Sequence, residues 1–107
     1  MDECIQLIYH GDAVVVRLGY LVNGQEMREG EYDELEFSFG DLRFTLSGGD
    51  ITWNQELGAY CVFLTQTQTF GLGDVAPYQL RVKVGDLVGA SKMRYKKIGK
   101  VKSDQVL

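Results

Sequence analysis

Residues 78–84, Tyr78-Gln79-Leu80-Arg81-Val82-Lys83-Val84, alternate apolar and polar side chains without a break. A period of two belongs to an extended chain with one buried face, so this run is committed to a half-buried β-strand. The residues before it follow a different rule. Leu64-Thr65-Gln66-Thr67-Gln68-Thr69-Phe70-Gly71-Leu72 end an earlier strand and then place three threonines close together. Their hydroxyls bond to nearby backbone groups, which predicts an irregular corner carrying the chain from one sheet to another. Thr65, Thr69 and Tyr78 are the expected structural residues of this corner, with Tyr78 as the anchoring tyrosine of the later strand.

Other segments carry the same signature. Leu35, Phe37 and Phe39 alternate with Glu34, Glu36 and Ser38, Gly40-Asp41 is a two-residue turn, and residues 42–47 alternate again, which reads as a hairpin. Residues 5–9 form a short first strand closed by His10-Gly11-Asp12. Residues 13–22 form a second, with Val14, Val15 and Val16 buried and Arg17 at the surface. Its nearly continuous apolar run predicts a central place in its sheet. Asn23-Gly24 is a turn, and residues 25–33 read as an exposed loop. Residues 51–53, 59–64 and 87–95 complete the strands, with Gly85-Asp86 as another hairpin turn. The basic residues 96–102 lose the alternation, and a bulge or a departure from the domain is expected there. No long helical stripe is present. About seven to nine short strands with regular turns describe an all-β sandwich or a small barrel, and the antiparallel sandwich is the favoured expectation. It forms one domain over residues 1–102, followed by a tail at 103–107.

A chain of 107 residues with 45% hydrophobic content supports a single core. There is no apolar run of about 18 residues, so no membrane partner is expected. The acidic start Met1-Asp2-Glu3-Cys4 does not resemble a secretory signal, which predicts a cytosolic protein. In a reducing compartment Cys4 and Cys61 read as small apolar side chains. With one histidine beside them they do not make a closed zinc site. No metal or other cofactor is expected.

Charge is divided along the chain. Residues 1–50 hold eleven acids against three bases, and residues 51–107 hold four acids against eight bases. Complementary patches steer association and fix register. The surfaces expected to touch another protein are therefore the acids Glu29, Glu31, Asp33, Glu34 and Glu36 and the bases Lys92, Arg94, Lys96, Lys97 and Lys100, continuing to Lys102.

Catalytic readings are weaker than structural ones. Cys61, His10 and Asp12 are the residue types of thiol catalysis, yet Cys61 lies mid-strand and His10 in a turn. Glu34 and Glu36 share a strand face as an acid pair would, but alternating acids also keep an exposed strand soluble. Gly71-Leu72-Gly73-Asp74 lacks the lysine and helix of a phosphate cradle and reads as turns. Trp53, Tyr60 and Phe63 suggest an aromatic platform for carbohydrate, and the basic last strand with Tyr95 suggests nucleic acid. Trp and Phe at strand positions are more often core, and a pI of about 4.9 opposes phosphate.

Four segments together carry a resemblance: Gly11-Asp12-Ala13, Gly30-Glu31-Tyr32-Asp33-Glu34-Leu35-Glu36-Phe37, residues 64–72 and Tyr78-Gln79-Leu80-Arg81-Val82. In order and spacing they resemble a small immunoglobulin-like β-sandwich of Gram-positive phages and prophages, known as the N-terminal module of phage upper baseplate proteins. The resemblance covers nearly the whole chain, including Ser103-Asp104-Gln105-Val106-Leu107. It implies an immunoglobulin-like, non-enzymatic assembly module. Its partners would be other protein subunits of a phage-derived assembly, a second copy among them, in a bacterial cytoplasm or a virion.

Overall fold

A computed structural model describes residues 7–18 and 27–107, most of them extended. β1 (Ile8–Tyr9) and β2 (Val14–Leu18) come first, followed by the hairpin of β3 (Glu34–Phe39) and β4 (Leu42–Thr45). β5 (Ile51–Asn54) and β6 (Ala59–Leu64) form a second hairpin, after which α1 (Gln66–Phe70) leads to β7 (Val75–Val84), β8 (Leu87–Ala90) and β9 (Arg94–Gly99). The larger sheet has the order β1-β9-β7-β3-β4, with β8 also paired to β7, and the smaller has the order β2-β6-β5. The β1–β9 pair is parallel, and the other described pairs are antiparallel. Cys4, the Asn23-Gly24 turn, and the expected strand and loop residues at 5–6, 19–22 and 25–26 lie outside the described residues.

The alternation read in residues 78–84 is the alternation of β7. Tyr78 and Leu80 are buried and Val82 half-buried, while Arg81 and Lys83 face water. The strand begins earlier than the pattern shows, because Pro77 interrupts the signal without interrupting the sheet. The Pro77 carbonyl accepts from Gly40 N at 2.8 Å, just past the end of β3. The donor that proline lacks falls on that same side, where no strand needs it.

The inward faces of the two sheets meet in one core, in a sandwich-like arrangement. From the larger sheet come Leu35, Phe37, Phe39, Phe44, Tyr78 and Leu80; from the smaller come Val16, Leu18, Ile51, Tyr60, Val62 and Leu64. Phe37 is the hub of the aromatic layer, with ring centroids 6.0 Å from Phe39, 6.4 Å from Phe44 and 6.4 Å from Tyr78. Offset and edge contacts at this range add attraction beyond the area they bury.

Several expectations are corrected. The second strand is an edge strand among the described residues, and Val15 is exposed; the centre of the smaller sheet is β6, where Ala59, Tyr60, Cys61 and Val62 are all buried. A continuous apolar run marks a central strand only when both faces are covered, and the outer face here is open at Val15 and Phe63. The described part of the 25–33 loop is fastened down. Met27 is buried, Tyr32 packs edge-on against Tyr60 at 6.2 Å, and Gly30 N donates to the Tyr60 hydroxyl at 3.0 Å. Burial and the nearby Glu31 carboxylate raise the Tyr32 pKa.

The corner at 64–72 does join the two sheets, but through one helical turn rather than irregular chain. The Thr65 hydroxyl accepts from Gln68 N at 3.2 Å, and the Gln68 side chain accepts from Thr65 N at 2.9 Å. This reciprocal cap satisfies two donors that the helix start leaves open. Buried Thr69 donates to the Asp12 carbonyl at 2.8 Å, tying α1 to the turn that follows β1.

Residues 87–95 are not one strand. β8 stops at Ala90 and β9 starts at Arg94, both on the same side of β7; of the basic run 96–102, expected to bulge or leave the domain, residues 96–99 belong to β9 and residues 100–102 follow it. Buried Ser91 sits at the break and bonds to Leu80 through both its backbone N–H and its hydroxyl.

Candidate functional site

The outer face of the larger sheet gathers many of the expected charged residues. The register sets Glu36 opposite Arg81 and Glu34 opposite Lys83. Arg43 on β4 reaches the same Glu36 carboxylate, so one oxygen accepts from Arg43 Nε and the other from Arg81 Nη1 at 3.3 Å. The Arg43 hydrogen bond, helped by the charges of both arginines, holds the Glu36 pKa below the usual carboxylate range against a smaller effect of burial. Glu34 accepts from the Ser47 hydroxyl and from Ser47 N at 2.9 Å, and these bonds lower its pKa as well. Asp33 accepts from Gly85 N. Three of the five expected contact acids are thus engaged within the chain, while Glu29 and Glu31 stand exposed on the loop before β3.

Glu34, Glu36, Arg43, Arg81, Lys83 and Val88 line a shallow depression of about 220 Å³. A general acid needs a raised pKa, and both glutamates here are lowered. The arrangement is a cross-strand ladder of opposite charges.

Cys61, His10 and Asp12 are each engaged elsewhere. Cys61 is buried on β6 with its thiol 3.7 Å from the Ala59 carbonyl, and burial pushes its pKa up, against a smaller lowering by Arg17. His10 Nε2 lies 2.9 Å from the Leu72 carbonyl, and Asp12 accepts from Tyr9 N at 2.9 Å. The three aromatic residues do not form a flat platform. Trp53 and Tyr60 pair on the inner face in an edge-to-face contact at 5.1 Å, whereas Phe63 is paired with Val15 on the opposite face.

The basic strand also divides. In β9, Arg94 and Lys96 are in register with Tyr78 and Ala76, whose side chains turn inward, while Tyr95 and Lys97 are in register with Pro77 and Val75 on the outer face. Lys92 precedes the strand, and Lys100 follows it, 3.6 Å from Asp74. Lys100 and Lys102 border an open depression of about 450 Å³ with His10, Phe70 and Asp104. Phosphate-tracking proteins present their bases on one face, and this strand does not.

Sequence reasoning missed an apolar feature. Val75, Val84, Leu87, Val88, Met93 and Tyr95 lie on or between β7, β8 and β9 and are 46–77% exposed. All of β8 is exposed, and its second edge has no strand beside it among the described residues. Sheet edges are normally guarded by charge, proline or a bulge, and Leu87-Val88-Gly89-Ala90 has none of these side chains. The available signal was an uncharged run directly after a hairpin turn, which has the same look as a core strand.

The chain matches no family model, no curated protein and no solved structure. Among the described residues no three His, Cys, Asp or Glu side chains are grouped to hold a metal ion, and no helix is long and apolar enough to cross a membrane.

Proposed function

We propose that the chain is a non-enzymatic protein-docking module: an immunoglobulin-like sandwich that contacts other subunits of a phage- or prophage-derived assembly, in a bacterial cytoplasm or a virion. The observation that carries this reading is the exposed apolar edge of β8, continued by Met93 and Tyr95 and flanked by Lys92 and Arg94. An apolar centre with a charged rim is the make-up of a protein interface. An open sheet edge adds backbone donors and acceptors that only another extended chain satisfies fully. The phage context comes from the baseplate-like segments at 11–13, 30–37, 64–72 and 78–82.

The test is co-expression with the products of neighbouring genes, followed by cross-linking and hydroxyl-radical footprinting. A neighbour-encoded protein that shields Leu87, Val88, Met93 and Tyr95 supports the docking role. Shielding confined to Phe63 by a glycan, or to Lys100 and Lys102 by a nucleic acid, overturns it.

A further inference from the structure

The backbone of β8 determines what kind of strand fits beside it. Ser91 N donates to the Leu80 carbonyl at 2.8 Å, so position 91 is bonded towards β7. Bonded and non-bonded pairs alternate along an antiparallel ladder. Gly89 and Leu87 are therefore also bonded towards β7, and the backbone groups of Val88 and Ala90 point out from the open edge. Lys83, the partner of Val88, agrees with this parity, since its carbonyl accepts from Asp33 N on the β3 side.

We propose that β8 pairs antiparallel with β8 of a second copy about a twofold axis at Gly89, an inference that rests on the docking role above. Outward-facing residues must meet outward-facing residues, so the axis of a symmetric pair centred on this strand passes through one of its four residues, Leu87, Val88, Gly89 or Ala90, and an axis at Leu87 sets Asp86 against a valine. With the axis at Gly89, Val88 lies opposite the partner's Ala90, and Asp86 lies opposite the partner's Lys92. Symmetry makes each of these contacts twice. An axis at Val88 sets Asp86 against an alanine, and an axis at Ala90 sets Lys92 against a valine. Charge complementarity thus selects Gly89. Asp86 and Lys92 are exposed, and neither is in an ion pair with its own chain among the described residues. Among the described residues no strand occupies that place: β1 lies beside Ile98 and Gly99, at the far end of β9 from residues 87–93.

Sedimentation velocity over a concentration series, at low and high salt, tests the pairing. The native chain is expected to dimerise as concentration rises. Val88→Pro removes an outward N–H and no bond to β7, and is expected to sediment as a monomer. Asp86→Lys is expected to weaken the dimer at least tenfold at low salt, and Asp86→Lys combined with Lys92→Asp to restore it. Gly89→Cys supplies a second readout. A Cβ at Gly89 meets only Val82 Cγ2 at 3.9 Å, and a non-bonded antiparallel pair brings Cα atoms to about 4.5 Å, within disulfide reach. Oxidation is expected to link two copies through the introduced thiols faster than it links Leu87→Cys. A chain that stays monomeric, a dimer indifferent to Val88→Pro, or equal linking rates would overturn the twofold pairing. A monomer whose β8 is still shielded by a neighbour-encoded protein overturns the pairing alone; a monomer without such shielding overturns the docking role with it.

Discussion

Ser91 and Leu80 are joined by two hydrogen bonds of different kinds: the Ser91 backbone N donates to the Leu80 carbonyl at 2.8 Å, and the Ser91 hydroxyl accepts from Leu80 N at 3.0 Å. The side-chain oxygen stands where a strand carbonyl would be, so the ladder along β7 continues across the break between β8 and β9. Ser91→Ala leaves a buried N–H without its acceptor, and a loss of about 1–3 kcal/mol is expected from chemical denaturation. Faster amide exchange at Leu80 would identify the cause, and an unchanged Leu80 rate would refute it.

Thr69 is the corresponding tie for the helical corner. Its buried hydroxyl donates to the Asp12 carbonyl at 2.8 Å and lies 3.1 Å from the Gln66 carbonyl. Thr69→Val keeps the shape and removes the donor, with an expected loss of about 1–3 kcal/mol. Thr67→Val, on the exposed side of the same turn, is expected to change stability by less than about 0.5 kcal/mol. Equal effects at the two positions, measured by urea denaturation, would show that the Asp12 tie contributes nothing.

The carboxylates of Glu34 and Glu36 give stability a defined pH dependence. Both pKa values are lowered in the folded chain, so the folded state favours the ionised form. Their contribution is fully present above the unfolded-state pKa of about 4.3 and is lost as pH falls through the lower folded values. Thermal midpoints measured from pH 6 down to pH 2 are expected to fall most steeply below about pH 4. Glu36→Gln should flatten that fall and lower the midpoint at neutral pH; a parallel curve would show that the Arg43 and Arg81 contacts do not matter.

Cys61 is expected to resist alkylation in the native state. The thiolate is the reactive form, and burial both raises the thiol pKa and blocks access. Labelling at pH 8, mapped by mass spectrometry, should modify Cys61 at a rate that rises with denaturant in step with unfolding. Rapid labelling without denaturant would contradict its burial.

Strands with a single covered face were legible in the sequence. Leu35, Phe37 and Phe39 and the residues of β7 from Tyr78 onward alternate because one side meets the core and the other meets water. Where side chains rather than periodicity decide the backbone path, the pattern gave less. Thr65 and Gln68 cap a helical turn too short to show a stripe, Ser91 breaks a strand without a glycine or proline, and Pro77 hides two further residues of β7. The charged surfaces were legible as composition, but the pairing of Glu36 with Arg43 and Arg81 depends on a register that joins strands far apart in sequence. The open edge of β8 was invisible for the same reason: whether an apolar strand is core or rim depends on what the sheet opposite covers.

The parallel pairing of Ile8 with Ile98 ties together residues ninety positions apart. Such a contact forms only after most of the intervening chain has been ordered, because closing so long a loop early has little to offset its entropy. On a ribosome β1 therefore waits without its sheet partner until nearly the whole described fold has emerged. The larger sheet is therefore completed last, and until then the outer edge of β9 is open as well as that of β8.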